Sequence, residues 1–178
     1  NESRLLKKYE KHLPANVHYA CITDDDTNLF KKEYGLSEVS HLAAFAPFTH
    51  INNPDGVGNF CLYHGNLSVS ENEKAAAWLI TKVFSKIKMP LVIAGKNPSK
   101  KIESLAHFYQ HTCLVANPTD NELHDLIQKA QINVLPSFNN TGIKLKLINA
   151  LFNGRHCLAN DAMVAGTGLE QACHIANT

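Results

Sequence analysis

Residues 137–154 read SFNNTGIKLKLINALFNG. Gly142 is followed closely by Lys144, Lys146 and Asn149, in a segment whose other positions are mainly aliphatic. That combination suits one kind of chemistry. A helix opening on a glycine exposes backbone N–H groups at the positive end of its dipole, and these attract an anion such as a phosphate. An ammonium close by adds a full charge. At about 100° per residue, Gly142, Lys146, Asn149 and Asn153 share one polar stripe, and Ile143, Leu147, Ala150 and Leu151 form the apolar side. Lys144 points roughly 160° away from Lys146, so Lys146 and Asn149 can serve one ligand while Lys144 faces solvent. The other reading is a solvated basic face, and this stretch alone leaves both open.

Other residues invite chemistry too. Asp24 and Asp26 in TDDDT form a DxD pair, which can bridge a divalent cation and a diphosphate. The same acids directly precede a helix pattern, where Thr23 or Asp24 caps and acids suit the first turn, so the helix-start reading is favoured. The ten histidines include neither HxH nor HExxH, so no metal site is expected. The absence of GxSxG, a P-loop and GxGxxG argues against a serine hydrolase, a P-loop enzyme and a dinucleotide oxidoreductase. In YHGNL, Gly65 directly follows a strand, where it either lets the backbone approach a ligand or makes an ordinary tight turn. AGKNPS is a weaker signal of the same kind.

The elements that position these residues come from the alternation of apolar runs and helical periods. VHYACIT (17–23) reads as a strand, DDDTNLFKKEYG as a helix ended by Gly35, and HLAAFA (41–46) as a second strand. Residues 47–59 are rich in Pro, Gly and Asn and read as a linker. From residue 60 the pattern is regular. The runs FCLYHG, PLVIAG, TCLVAN, INVLPS and RHCLAN read as strands separated by helices, with a short strand expected near the end. Ser70 with Glu73, and Thr119 with Glu122, have capping-box spacing. Near-continuous apolar strands, each followed by a helix, predict an α/β fold: a Rossmann-like, doubly wound parallel sheet covered on both faces. Ligands of such sheets bind where the strands end, here at His64, Gly95, Ala116, Pro136 and Asn160.

Composition limits the classes further. The chain has 178 residues, 17 basic and 16 acidic, so no global field points to nucleic acid. No apolar run is long enough to span a membrane. The five scattered cysteines form no CxxC and read as reduced core thiols of a cytosolic protein. The chain opens on NESRLLKKYEKHL without a methionine, and a fragment of a longer protein is expected.

From about Phe60 onward the chain resembles the C-terminal, donor-binding domain of GT-B glycosyltransferases, especially family 4. FCLYHGNLSVSENEKAAAWLI is similar to that family's opening strand, glycine turn and first helix, and PLVIAGKNP to its second strand and turn. ELHDLIQKAQINVLPSFNNTGIKLKLINALFNGRHCLAN carries the most specific likeness, to a P-S turn followed by G-x-K-x-K and a second glycine. Residues 1–46 look like the end of the N-terminal, acceptor-binding domain, 47–59 like the interdomain linker, and 60–178 like the nucleotide-sugar-binding domain.

The resemblance implies a cytoplasmic, metal-independent transferase that moves a sugar from a nucleoside diphosphate sugar to a glycan, lipid or other acceptor. It implies no cofactor and no nucleic-acid partner, and it leaves room for peripheral membrane contact. Carried over, Gly65, Asn66, Gly142, Ile143 and Lys146 would meet the donor diphosphate, Asn149 the ribose, and Val115, Ala116 and Asn117 the base. The leaving diphosphate would be neutralised by helix amides and basic side chains. Asn149 and Thr141 stand where the family has a pair of glutamates, and Asn66 where many members have arginine. The other function class open to such a sequence is a degenerate nucleotide-sugar-binding or structural module without catalysis.

Overall fold

The structure is a computed structural model and describes residues 2–43, 45–139 and 144–177. The chain divides into two compact units, Asn1–Phe45 and Ala46–Thr178.

The first unit is one strand–helix–strand. β1 (Tyr19–Cys21) pairs in parallel with β2 (Val39–His41), and α2 (Asp24–Glu33) connects them, after an N-terminal α1 (Glu2–Glu10). Thr23 caps α2, its Oγ1 accepting from the Asp26 amide at 3.0 Å. Asp24 lies 3.0 Å from Nδ1 of His41. Both acids of the DxD pair thus sit in the first turn of α2. The second strand lies earlier than the apolar run 41–46. Val39 is buried with Cys21 and Leu36, and that small core sets the pairing.

In the second unit the described residues form a six-stranded parallel sheet. Its strands are β3 (Cys61–Asn66), β4 (Leu91–Lys96), β5 (Thr112–Ala116), β6 (Ile132–Leu135), β7 (His156–Ala159) and β8 (His174–Ile175). Their spatial order is β5-β4-β3-β6-β7-β8, so the strand order reverses between β3 and β6 while every strand stays parallel. The helices are α3 (Ser70–Trp78), continued by a π-helical stretch Leu79–Phe84, then α4 (Lys100–Phe108), α5 (Asp120–Lys129), α6 (Leu145–Asn153) and α7 (Asp161–Val164). This is the doubly wound parallel sheet that the sequence predicts.

Both faces are apolar because successive residues of a strand point to opposite sides. Cys61 and Tyr63 pack with Leu79, Ile80, Ile93 and Ile102 on one face. Leu62 and Ala94 pack with Ile127 of α5 on the other, where Leu135 and Cys157 also meet Leu147 and Ala150 of α6. Each fully buried aliphatic side chain contributes about 1.5–3 kcal/mol, which fastens the helices whose starts surround the strand ends.

Capping differs from the expected pattern at one helix. Thr119 and Glu122 form the full capping box of α5. Ser70 does not cap α3; Val69 precedes that helix without a side-chain bond, and Glu73 instead accepts from Ser99 Oγ at 2.6 Å. Ser99 in turn caps α4, so α3 and α4 are tied where they start. Among the cysteines, Cys113 is exposed rather than in the core, because β5 is an edge strand. Residues 47–59 run along the second unit. Phe48 stacks on Phe152 at 5.3 Å, and the Arg155 guanidinium donates to the carbonyls of Asp55, Gly56, Gln128 and Ala130.

Candidate functional site

One residue before their carboxyl ends, β3 and β4 carry paired glycines, Gly65 and Gly95. A Cβ on Gly95 would stand 2.0 Å from the carbonyl oxygen of Gly65, so no larger residue fits without parting the strands. A Cβ on Gly65 would meet the side chain of Asn72 at 3.3 Å. The glycines therefore let the start of α3 lie directly against the strand ends.

Asn72 organises this corner. Its Nδ2 donates to the carbonyl of Asn66 at 3.0 Å, and its backbone carbonyl accepts from Tyr63 Oη at 3.1 Å. Its Oδ1 accepts from Lys146 Nζ at 3.0 Å. Lys146 comes from the first turn of α6, beyond the β3–β6 pair where the strand order reverses. The ammonium also stands 5.0 Å over the Tyr63 ring. Burial, with Lys144 as a second cause, lowers the Lys146 pKa to about 8. Lys144 bonds Asn139 Oδ1 at 3.0 Å.

His64, last but two in β3, is buried, and its Nε2 has no hydrogen-bond partner among the described residues. Burial first, and the Lys146 charge second, lower its pKa to about 3, so the imidazole is neutral. This corner thus combines a half-buried cation with a buried neutral imidazole. An anion entering it would gain a charge-assisted bond in a weakly screened setting.

The remaining sequence candidates are placed as follows. Asn66 ends β3, and its Oδ1 accepts from Ser68, closing the turn into α3. Asn149 lies one turn into α6, but its Oδ1 accepts from Asn153 Nδ2 at 2.9 Å. Its amide is thus turned along the helix. Val115 and Ala116 end β5, and Asn117 follows with a left-handed φ of 52°. Asn117 Oδ1 accepts from the amide of Asn97, itself at φ 50°, so the loops after β4 and β5 are joined. α6 begins at Leu145, with Lys144 as its N-cap, and not at Gly142 as its periodicity predicts. The backbone of Lys144, φ −92° and ψ 86°, is outside the helical region. Gly142, Ile143 and Thr141 lie outside the described residues. Asn72 belongs to no motif singled out in the sequence. The signal that could have found it is its place one turn beyond the YHGN glycine turn.

A cavity of about 220 Å³ opens beside this corner, lined by Gly65, Gly95, Lys96, Pro118, Asp120 and Leu123 among others. Among the described residues no group of three His, Cys, Asp or Glu side chains converges as a metal site would require. No described helix is long and apolar enough to cross a membrane.

Residues 58–174 match the family described as glycosyl transferases group 1. The chain belongs to this family. A curated relative, an uncharacterized 44.6 kDa protein in the cps region of Klebsiella pneumoniae, is 27% identical over 148 residues. That alignment takes in 78% of this chain and 38% of the relative. Among solved structures, a glycosyltransferase from Rickettsia africae superposes with a TM-score of 0.61 at 10% identity, over 88% of this chain and 48% of that one. TarM of S. aureus, as a mutant solved with fondaparinux, α-GlcNAc-glycerol and UDP, gives a TM-score of 0.65 at 14% identity, over 87% and 32%. These similarities establish a shared fold for the group 1 chain, which spans less than half the length of each of these three proteins.

Proposed function

We propose that this chain is the donor-binding part of a group 1 glycosyltransferase. It takes a nucleoside diphosphate sugar, and the whole protein moves the sugar to a glycan, lipid or other acceptor. Residues 1–46 are the end of the acceptor-binding domain, and the protein works in the cytoplasm. One observation carries the reading: Lys146 and Asn72 meet 3.0 Å apart at the head of β3, beside the point where strand order reverses. Doubly wound sheets bind ligands at that point. Lys146 neutralises the leaving diphosphate, Gly65 and Asn66 let it approach the backbone, and Gly142 and Ile143 offer amides. The Val115–Asn117 loop meets the base and Asn149 the ribose. The charge is met by protein groups, without a metal or other cofactor.

A second reading is a non-catalytic nucleotide-sugar-binding or structural module, favoured by the engagement of Asn149 with Asn153. Thermal-shift titration of the chain with UDP, GDP and ADP in EDTA tests donor binding. Millimolar ligand raises the melting temperature if a site exists, even a weak one. Absence of any shift, with the protein folded, refutes the donor-binding reading. Sugar transfer by the full-length protein then separates the enzyme from the module.

A further inference from the structure

From the cavity between Lys96 and Asp120 we infer that the donor nucleotide carries guanine. The inference rests on the donor-binding reading above and names its substrate class. The cavity lies at the ends of β3, β4 and β5, beside the Lys146 corner. Gly65 and Gly95 line it, and Pro118 and Leu123 add apolar surface against which a planar ring can lie. Two side chains of opposite charge line the same space, Lys96 and Asp120.

Neither forms a side-chain hydrogen bond or an ion pair with any described residue. Asp120 opens the first turn of α5, where an acid suits the helix dipole, but it takes no part in the cap. Thr119 and Glu122 already fill the capping box, Thr119 accepting from the Glu122 amide and Glu122 accepting from the Thr119 amide at 2.8 Å. The rim is held by the bond from the Asn97 amide to Asn117 Oδ1 at 2.7 Å.

An ionised carboxylate only accepts hydrogen bonds, and an ammonium only donates them. Guanine offers two neighbouring donors, N1–H and the 2-amino group, beside one acceptor, O6. A carboxylate takes both donors side by side, and an ammonium meets O6. Uracil offers one donor flanked by two carbonyl acceptors, so the second carboxylate oxygen would face a carbonyl. Adenine presents an amino donor beside a bare ring nitrogen, which also repels a carboxylate oxygen. Hypoxanthine keeps O6 and N1–H but lacks the amino group. The charge pair therefore orders the bases, with guanine first.

The experiment is calorimetric titration of the chain with GDP, IDP, UDP and ADP. GDP is expected to bind roughly ten- to hundredfold more tightly than UDP or ADP, the range of one bidentate contact, with IDP between. In Asp120→Asn the amide keeps one acceptor and gains a donor, which suits uracil. That variant is expected to lose GDP affinity and gain UDP affinity, and a gain cannot come from misfolding. UDP or ADP binding as tightly as GDP, or no gain of UDP affinity in Asp120→Asn, overturns the guanine assignment and leaves the donor-binding reading standing. Failure of all four nucleotides to bind the folded chain overturns both.

Discussion

Lys146 Nζ and Asn72 Oδ1 stand 3.0 Å apart although 74 positions separate them in the chain. The bond joins the first turn of α6 to the first turn of α3 over the end of β3. Among the described residues no carboxylate pairs with this ammonium, which is what an anion-binding corner requires before its ligand arrives. Lys146→Met should weaken nucleoside diphosphate binding by roughly ten- to hundredfold, the scale of a charge-assisted bond. Asn72→Ala, which leaves the ammonium unguided, should do so by less. Calorimetry of the two variants checks the order, and equal or absent effects would remove Lys146 from the site.

Two bases with lowered pKa values make stability rise with pH, each in its own window. The Lys146 pKa falls from 10.5 to about 8 on folding. Between those values the unfolded chain binds the extra proton, so this residue's contribution to stability rises with pH from about 8 to 10.5. Ligand affinity runs the other way. As the free ammonium titrates above about pH 8, diphosphate binding should fall by up to tenfold per pH unit, and Lys146→Met should flatten that slope.

His64 titrates on the acid side. Its pKa falls from 6.5 to about 3. The unfolded chain therefore takes up the proton first as pH drops, and stability is lost from about pH 6.5 down towards 3. His64→Val should be less acid-sensitive than the parent in urea melts at pH 7 and pH 5. Parallel losses in the two proteins would mean that other groups set the acid limit.

Gly95→Ala would drive a methyl group to 2.0 Å from the Gly65 carbonyl oxygen. The obstacle is backbone, so relief requires β3 and β4 to separate. The expected loss is about 3 kcal/mol, the upper range for an overpacked site, seen as a lowered urea midpoint. A midpoint within error of the parent would show that the strand ends yield easily.

The two Ser/Thr…Glu pairs separate by experiment. Thr119→Ala removes a complete capping box and should cost about 1 kcal/mol. Ser70→Ala removes a residue that makes no cap bond and should stay within about 0.5 kcal/mol. Equal losses would mean that Ser70 caps α3 after all.

Much of the fold is legible in residue order. FCLYHG, PLVIAG, TCLVAN and INVLPS are apolar along their length, as strands covered on two faces must be, and each became a strand of one sheet. Local patterns failed where tertiary contacts decide. β2 starts at Val39 because that side chain meets Cys21 and Leu36, a partnership that local periodicity cannot express. Glu73 has the spacing of a capping box, but Ser99 competes for its carboxylate. Lys146 was legible as a cation on the polar side of its helix. The hold of Asn72 on it was not, because the two meet only when strands distant in sequence lie side by side. His64 carries a local signal, a polar residue inside an apolar strand, but its unpartnered nitrogen needed coordinates.

The strand order β5-β4-β3-β6-β7-β8 also sets a schedule for synthesis. As the ribosome releases the second unit, its β3, β4 and β5 emerge before β6 and can pair with one another. The second long edge of β3 then waits, bare, for β6 to arrive. α6, which brings Lys146, comes later still. A nascent chain halted before residue 146 would hold four of the six described strands of that sheet and would lack the Lys146–Asn72 bond. On the donor-binding reading, nucleotide thus cannot guide the early steps of folding, and the waiting edge of β3 is where a chaperone would be of most use.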